Sequence, residues 1–285
     1  MDIGQFTGFE VSLRDPGIAW FQFNTPERLN GMTGGIKRDL IEAVTQAQMD
    51  NAVRVLVFTG SGRAFCAGDD LKAYRSAELG GTPLMPDIPP GHDSALGTYN
   101  GLRTISQQLN TVIRNLDKLT IAAINGVAIQ TGFSLALSCD FRIAADTARM
   151  GSATLRFGLL PDEGGQYLLV QILGVAGTLE FLMKKKIVTA SEALELGLVN
   201  EVTSPAELEA RTLAWAEELA NGPQVSMRLL KRSVYNAGEL GWNQALDEIA
   251  AKTAISDHHP DAREGVSAFR EKREARFNAW LENDA

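Results

Sequence analysis

Residues 119–140 read LTIAAINGVAIQTGFSLALSCD. The stretch opens on a nearly continuous apolar run, as a strand buried on both faces of a parallel sheet requires. It leaves through Asn125 and Gly126 into small residues and turns helical from Gly132. Residues 55–70, VLVFTGSGRAFCAGDD, follow the same order of buried strand, glycine exit and small residues. Small residues let a ligand approach the backbone, and helix N-termini offer unpaired N–H groups that attract negative charge. Two such groups aimed at one point would hold a carbonyl oxygen as it becomes an oxyanion. The competing explanation is tight strand–helix packing, which composition alone favours. Neither stretch fits a phosphate-binding P-loop or a dinucleotide fingerprint.

Working outward, strand, glycine-rich loop and helix recur, so α/β is the supported class. FEVSLRD (9–15) and IAWFQFN (18–24) read as strands around the turn Pro16-Gly17. GGIKRDLIEAVTQAQMD (34–50) carries Ile36, Leu40, Ile41 and Val44 at helical spacing. VRVLVFTG (53–60) reads as a buried strand and residues 61–74 as a loop. Residues 80–97 are rich in Gly and Pro without periodicity, which predicts a mobile loop. Helices are predicted over 100–117, 132–140, 166–174 and 177–185, with strands at FRIAAD (141–146) and LVNEV (198–202). Thr189 followed by Glu192 fits a capping box. The tail from Pro205 reads as helical.

Composition narrows the function classes. The 285 residues are 45% hydrophobic and 22% charged, an ordinary globular balance large enough for a sizeable core. A net charge of −8 argues against a general nucleic-acid surface. Cys66 and Cys139 make no disulfide framework, and a reducing, cytoplasmic setting is expected. The N-terminus lacks a secretory pattern, and no apolar run looks long enough for a membrane span. His92, His258 and His259 have no metal-ligand spacing, so no metal site is expected.

Six segments in order resemble the enoyl-CoA hydratase/isomerase superfamily, the crotonases. They are FNTPERLNGMT (23–33), GRAFCAGDDLK (62–72), AAINGVAIQTGFSLALSCDFRIAAD (122–146), GLLPDEGG (158–165), ASEALELGLVNEV (190–202) and EGVSAFREKR (264–273). The resemblance implies a ββα superhelix over residues 1–204 and a C-terminal helical region, 205–285, that builds trimers or hexamers. It implies an acyl-CoA thioester substrate, with coenzyme A entering as part of that substrate and no separate cofactor. By motif position the thioester oxygen would meet the N–H groups of Ala67 and Thr131. The family usually has glycine or alanine at the second of these, so the Thr131 and Gln130 side chains narrow the expected pocket. Ala64, Cys66, Gly68, Asp70, Leu71 and Gly132 flank these two positions and are expected at the substrate. Asp70 matches a common family aspartate, read as structural, and Lys72 is placed near the CoA.

The acids decide between reactions. The resemblance places two hydratase glutamates at Ser134 and Thr154, and neither is a carboxylate. A hydroxyl is a poor general base without an activating partner. Asp162 follows the proline of GLLPDEGG, similar to the "PD-small-GG" pattern of the ring isomerases of phenylacetyl-CoA breakdown. One carboxylate suffices for isomerisation, and burial would raise its pKa toward the working range. Glu163 is the rival, and helix capping is the bland alternative for both acids. The leading expectation is therefore an enoyl-CoA isomerase. The alternatives are a hydratase with an unusual acid set, or an acyl-CoA-binding protein without the chemistry. Arg156 and Phe157 could line the pocket, and His92 could cover it. Phe269 and Lys272 match family positions that meet the CoA adenine and 3′-phosphate, often from a neighbouring subunit.

Overall fold

The computed structural model describes residues 1–70 and 94–282. The N-terminal strands β1 (Gly4–Phe6), β2 (Phe9–Arg14) and β3 (Ile18–Phe23) form an antiparallel meander. Helix α1 (Gly34–Met49) follows, capped by the Thr33 hydroxyl, which accepts the Ile36 N–H at 3.2 Å. Three long strands then add in parallel: β4 (Val55–Gly60), β6 (Leu119–Ile124) and β8 (Phe141–Ala145), closed by β11 (Glu201–Thr203). The sheet order is β1-β2-β3-β4-β6-β8-β11.

After each long strand comes a short one: β5 (Ala64–Cys66), β7 (Val127–Ile129) and β9 (Arg149–Gly151). With β10 (Ile187–Thr189) these make a second sheet in the order β10-β9-β7-β5. Each strand pair is followed by a helical stretch, so the chain spirals through repeated ββα turns as expected. The helices are α2 (Ala95–Gly101), α3 (Gln107–Asn115), α4 (Thr131–Ser138), α5 (Gly165–Met183) and α6 (Ala190–Glu195). A π-helical turn, Leu102–Ser106, joins α2 to α3 within the region expected as one helix. Thr189 and Glu192 form the expected capping box.

The central strands are apolar throughout because both faces are covered. Leu56, Phe58, Ala122 and Ile124 face the main core between the sheets and helices. Val55, Val57, Ile121 and Ala123 face a second core closed by Leu208, Ala216 and Ala220 of α7 (Leu208–Asn221). The C-terminal helices α8 (Gln224–Ala237), α9 (Trp242–His258) and α10 (Pro260–Glu271) complete the chain.

Two expectations change. β5, β9 and β10 each have three residues, too short to display a period of two; β5 lies in the expected loop 61–74, and β9 and β10 were not read as strands. Helix α5 runs 19 residues and is long and apolar enough to cross a membrane, although no such run was expected. It is broken at Gly174 (φ 66°, ψ 175°), the last residue of the first of the two segments read as separate helices. Leu168, Leu169, Phe181 and Leu182 of this helix pack into the main core.

Asp140 ties the C-terminal helices to the spiral. Its carboxylate accepts the Thr120 N–H (2.8 Å) and hydroxyl (2.9 Å), the Tyr235 hydroxyl (2.6 Å) and the Lys231 ammonium (2.8 Å). Lys231 and Asp140 are both buried at their side chains, so neither charge has water to fall back on. Asp140→Ala is expected to cost about 3–5 kcal/mol, because it strands a buried ammonium. Denaturant unfolding checks this; a loss below about 1 kcal/mol, the size of a surface pair, contradicts it.

Candidate active site

The two glycine-rich exits lie side by side because β5 pairs in parallel with β7, Ala64 opposite Val127 and Cys66 opposite Ala128. The approach is close enough to forbid a side chain. A Cβ at Gly132 would stand 2.1 Å from the Cys66 carbonyl oxygen and 2.7 Å from its Cβ. Gly68 is needed for a different reason, its positive φ of 105°.

Beyond β5 the backbone alternates between two sides. The Ala67 N–H donates to the Leu29 carbonyl at 3.0 Å. Met32 then forms a parallel bridge with Asp69, its N–H donating to Gly68 O and its carbonyl accepting from Asp70 N, both at 2.9 Å. This corrects the expectation for Ala67, whose donor is already committed. The Asp69 N–H points to the opposite side of the bridge and meets no acceptor among the described residues. On the second exit, Thr131 is the first residue of α4, so its N–H has no intrahelical acceptor. The Thr131 hydroxyl donates to Asp69 Oδ1 at 2.7 Å, which brings the two exits together.

Gln130 precedes α4 in a conformation that L-residues rarely adopt, φ 50° and ψ −107°. Such a residue costs of order 1–3 kcal/mol and persists only when its surroundings hold it. Its N–H donates to Gly151 O (3.0 Å), its Oε1 accepts the Ser152 hydroxyl (2.7 Å), and its Nε2 donates to Asp162 Oδ1 (3.3 Å). Ser152 also meets the Thr154 hydroxyl at 3.2 Å. Thr154, Ser152, Gln130 and Asp162 thus form one chain of polar contacts.

The adjacent acids have separate fates. Helix α5 begins at Gly165 after Gly164, with no side-chain cap, so neither acid serves as its N-cap. Asp162 is half-buried. Burial raises its pKa, with the Asp69 charge adding to the rise and Lys37 and Gln130 opposing it. The Glu163 side chain is only 2% exposed and its Oε1 lies 2.8 Å from the Lys37 ammonium. Burial pushes the Glu163 carboxyl up against the pull of Lys37. For Lys37 burial acts downward, but Glu163 and Asp69 outweigh it and the net shift is upward. Glu163 is therefore held in an internal ion pair, while Asp162 is the acid with open surface.

Other expected residues divide. Ser134 is buried, and its hydroxyl crowds Gly165: a Cβ there would come within 2.7 Å of Ser134 Oγ. Asp70 pairs with Arg28 at 3.0 Å, in keeping with a structural role. Ala64 and Cys66 are fully buried, and burial pushes the Cys66 thiol up to about 12, so it stays protonated. Phe157 and Arg156 are exposed. Phe269 (86% exposed) and Lys272 lie at the end of α10, which packs on α9; the single chain does not bring them to Asp162. Leu71, Lys72, His92 and residues 80–93 of the Gly/Pro-rich segment lie outside the described residues; Ser94 of that segment caps α2, accepting the Gly97 N–H at 3.0 Å. Among the described residues no group of three or more His, Cys, Asp or Glu could hold a metal ion.

Sequence reasoning missed Lys37. Its signal was present, since a lysine beside Ile36 and one turn before Leu40 and Ile41 falls on the apolar side of α1. The donor at Asp69 was missed because a motif marks the loop and not which amide faces the site.

A family model described as enoyl-CoA hydratase/isomerase matches residues 14–83 and 87–280. The chain belongs to the enoyl-CoA hydratase/isomerase family. It is 32% identical over 272 residues to 1,2-epoxyphenylacetyl-CoA isomerase of Escherichia coli K12, covering 94% of this chain and 98% of that one. It is 35% identical over 254 residues to carnitinyl-CoA dehydratase of the same organism, covering 84% and 90%. The crystal structure of an enoyl-CoA hydratase from Bacillus anthracis superposes with a TM-score of 0.85 at 27% identity, covering 95% and 98%. The crotonase fold and an acyl-CoA enzyme of this family are thereby established, while these relatives span isomerase, dehydratase and hydratase.

The close approach at Gly132 yields a test. Gly132→Ala is expected to destabilise the protein by about 1–3 kcal/mol, since its methyl meets backbone and cannot be absorbed by a rotamer change. Thermal and denaturant unfolding measure the loss; an unchanged midpoint contradicts the packing described.

Proposed function

We propose that the protein is an acyl-CoA isomerase that shifts a double bond by moving one proton on Asp162. The observation that carries this reading is the contrast between carboxylates. Asp162 is half-buried, aligned by Gln130 and raised in pKa, whereas Glu163 is bound to Lys37 and the two hydratase glutamate positions hold Ser134 and Thr154. The resemblance of GLLPDEGG to the ring-isomerase pattern supports it, as does the 32% identity to an epoxyphenylacetyl-CoA isomerase.

The thioester oxygen sits between the N–H groups of Asp69 and Thr131. Asp162 takes a proton from the carbon between the double bond and the thioester. The C–H electron pair moves toward the thioester carbon and its oxygen takes up the charge as a dienolate. The two N–H donors stabilise that oxygen, each worth about 3–4 kcal/mol in a dry site. Asp162 then returns the proton at the far end of the dienolate, and no water is added. A hydratase would need a second acid to hold water, and Glu163 is engaged elsewhere. Exposed apolar residues along α8, α9 and α10, among them Leu230, Val234, Trp242 and Ile255, suit assembly into trimers or hexamers. In such an assembly Phe269 and Lys272 would reach the CoA of a neighbouring copy.

Turnover of a panel of 3-enoyl-, 2-enoyl- and aryl-acyl-CoA thioesters tests the reading. Asp162→Asn is expected to lower kcat for the isomerised substrate about 10²–10⁴-fold. Retained isomerase activity in that variant sinks the assignment, and saturable binding with no turnover or proton exchange favours a non-catalytic binder.

The pH dependence follows from the direction of the shift. The base works deprotonated, so kcat/KM rises with pH through the Asp162 pKa, and this limb should lie above the ordinary aspartate value of about 3.9. Stability has the opposite sign. A raised folded pKa means the native state binds more protons between the unfolded and folded values, so stability falls as pH rises through that window. Asp162→Asn should therefore be at least as stable as wild type at pH 7. Urea unfolding at pH 4 and 7, beside the rate profile, checks both; a limb near 3.9 or a less stable Asn variant contradicts them.

A further inference from the structure

Helix α1 carries a lysine into the interior beneath the site. The Lys37 ammonium lies 2.8 Å from Asp69 Oδ1, 2.8 Å from Ser106 Oγ and 2.8 Å from Glu163 Oε1. Its side chain is 4% exposed. An ammonium has three N–H donors, and here each has a partner. The partners come from three segments distant in sequence: the loop after β5, the π-helical turn before α3, and the turn before α5. Asp69 in addition accepts the Thr131 hydroxyl at 2.7 Å, which adds the start of α4.

These segments hold the proposed machinery. The Asp69 and Thr131 amides are the two donors to the thioester oxygen, and Asp162 adjoins Glu163. A buried ion pair is an expensive way to fill such a space, because well-packed apolar residues often stabilise a fold as well or better. Neighbouring positions of α1, Ile36, Leu40 and Val44, are apolar and buried, so an apolar side chain at residue 37 would continue the same face. What the ammonium adds over an apolar group is directed contact with two carboxylates at once.

We propose that Lys37 is a positioning residue: by holding Asp69 and Glu163 on one ammonium, it sets the distance between the oxyanion donors and the Asp162 carboxylate. The proposal rests on the reading of Asp162 as the proton carrier and deepens it. Lys37 touches no reacting atom. It acts through the two carboxylates, and a misplacement of about 1 Å in such a site can cost about 10²-fold in rate. Glu163 Oε2 has no partner among the described residues. The 2.8 Å contact through Oε1 ties Lys37 to the turn that bears Asp162.

The test separates this role from packing. Lys37→Met alone would strand two carboxylates, so the variant used is Lys37→Met/Glu163→Gln, which removes one charge of each sign. Circular dichroism and thermal unfolding establish that it folds. Acetoacetyl-CoA is the spectroscopic ligand, because its enolate absorbs in the near ultraviolet and reports the oxyanion donors without proton transfer by Asp162. The wild-type protein is expected to raise the bound enolate fraction. The double variant should bind the ligand with Kd within about threefold while the enolate equilibrium constant falls about tenfold, and kcat on the isomerised substrate falls about 10²-fold with KM little changed.

A folded double variant with wild-type enolate equilibrium and kcat overturns the proposal and leaves Lys37 a packing residue. Absence of any enolate gain with saturated wild-type protein overturns it as well. If Asp162→Asn keeps isomerase activity while the double variant loses the enolate band, the base assignment fails and the link from Lys37 to the oxyanion donors stands. Should the double variant not fold, Lys37→Arg takes its place: the charge is kept and the geometry displaced. Faster hydrogen exchange at residues 67–70 and 131–134 with a weaker enolate band then supports the proposal, and unchanged exchange with an unchanged band rejects it.

Discussion

The pairing of two three-residue strands, β5 with β7, is the constraint on which the site depends. It sets two chain exits in parallel, so that the first turn of α4 packs against the end of β5. Gly132 against the Cys66 carbonyl is the point of closest approach, and only a residue without Cβ fits there. Once the exits are adjacent, alternation along extended backbone decides which amides are free. Ala67 turns its N–H inward to Leu29, Asp69 turns the other way, and the bridge to Met32 holds that orientation. Strand pairing thus leaves two backbone donors, at Asp69 and Thr131, without partners among the described residues.

Polar side chains then fix what the backbone leaves loose. Gln130 sits in a left-handed conformation at the turn into α4, held by donating to Gly151 and Asp162 and accepting from Ser152. A glycine would relieve the backbone but lose the amide that aligns Asp162. The strain and the alignment thus belong to one side chain. Lys37 does the comparable work from below, through Asp69 and Glu163. The site is held from two directions, each by a residue that lies outside the acid motif.

Much of the fold was legible in the sequence. The strands at 55–60, 119–124 and 141–145 are buried on both faces, so their composition alone marks them. The helical periods of α1 and the capping box at Thr189 are local signals. The short strands carry no readable period, and the long apolar α5 resembled two helices because Gly174 interrupts it. Of the candidate site, the motif order singled out Asp162, Thr131 and the β5 loop, which the structure brings together through Gln130 and Asp69. It could not choose between the Ala67 and Asp69 amides, because that choice depends on Leu29 and Met32, nearly 40 residues earlier in the chain. Nor could it pair Lys37 with Glu163, which lie 126 residues apart.

The contrast between Asp162 and Glu163 shows how little chain separates a half-buried acid from one sealed in an ion pair. Both are carboxylates in the same turn, and burial pushes both pKa values up. The difference is access and partnership. Glu163 has an ammonium within 2.8 Å and almost no surface, so its charge is spent inside the fold. Asp162 has an amide at 3.3 Å, a weaker partner that orients it without neutralising it. A carboxylate so placed can accept a proton and give it back. The proposed single-carboxylate proton transfer rests on this contrast, with hydroxyls at Ser134 and Thr154 and Glu163 withdrawn to Lys37.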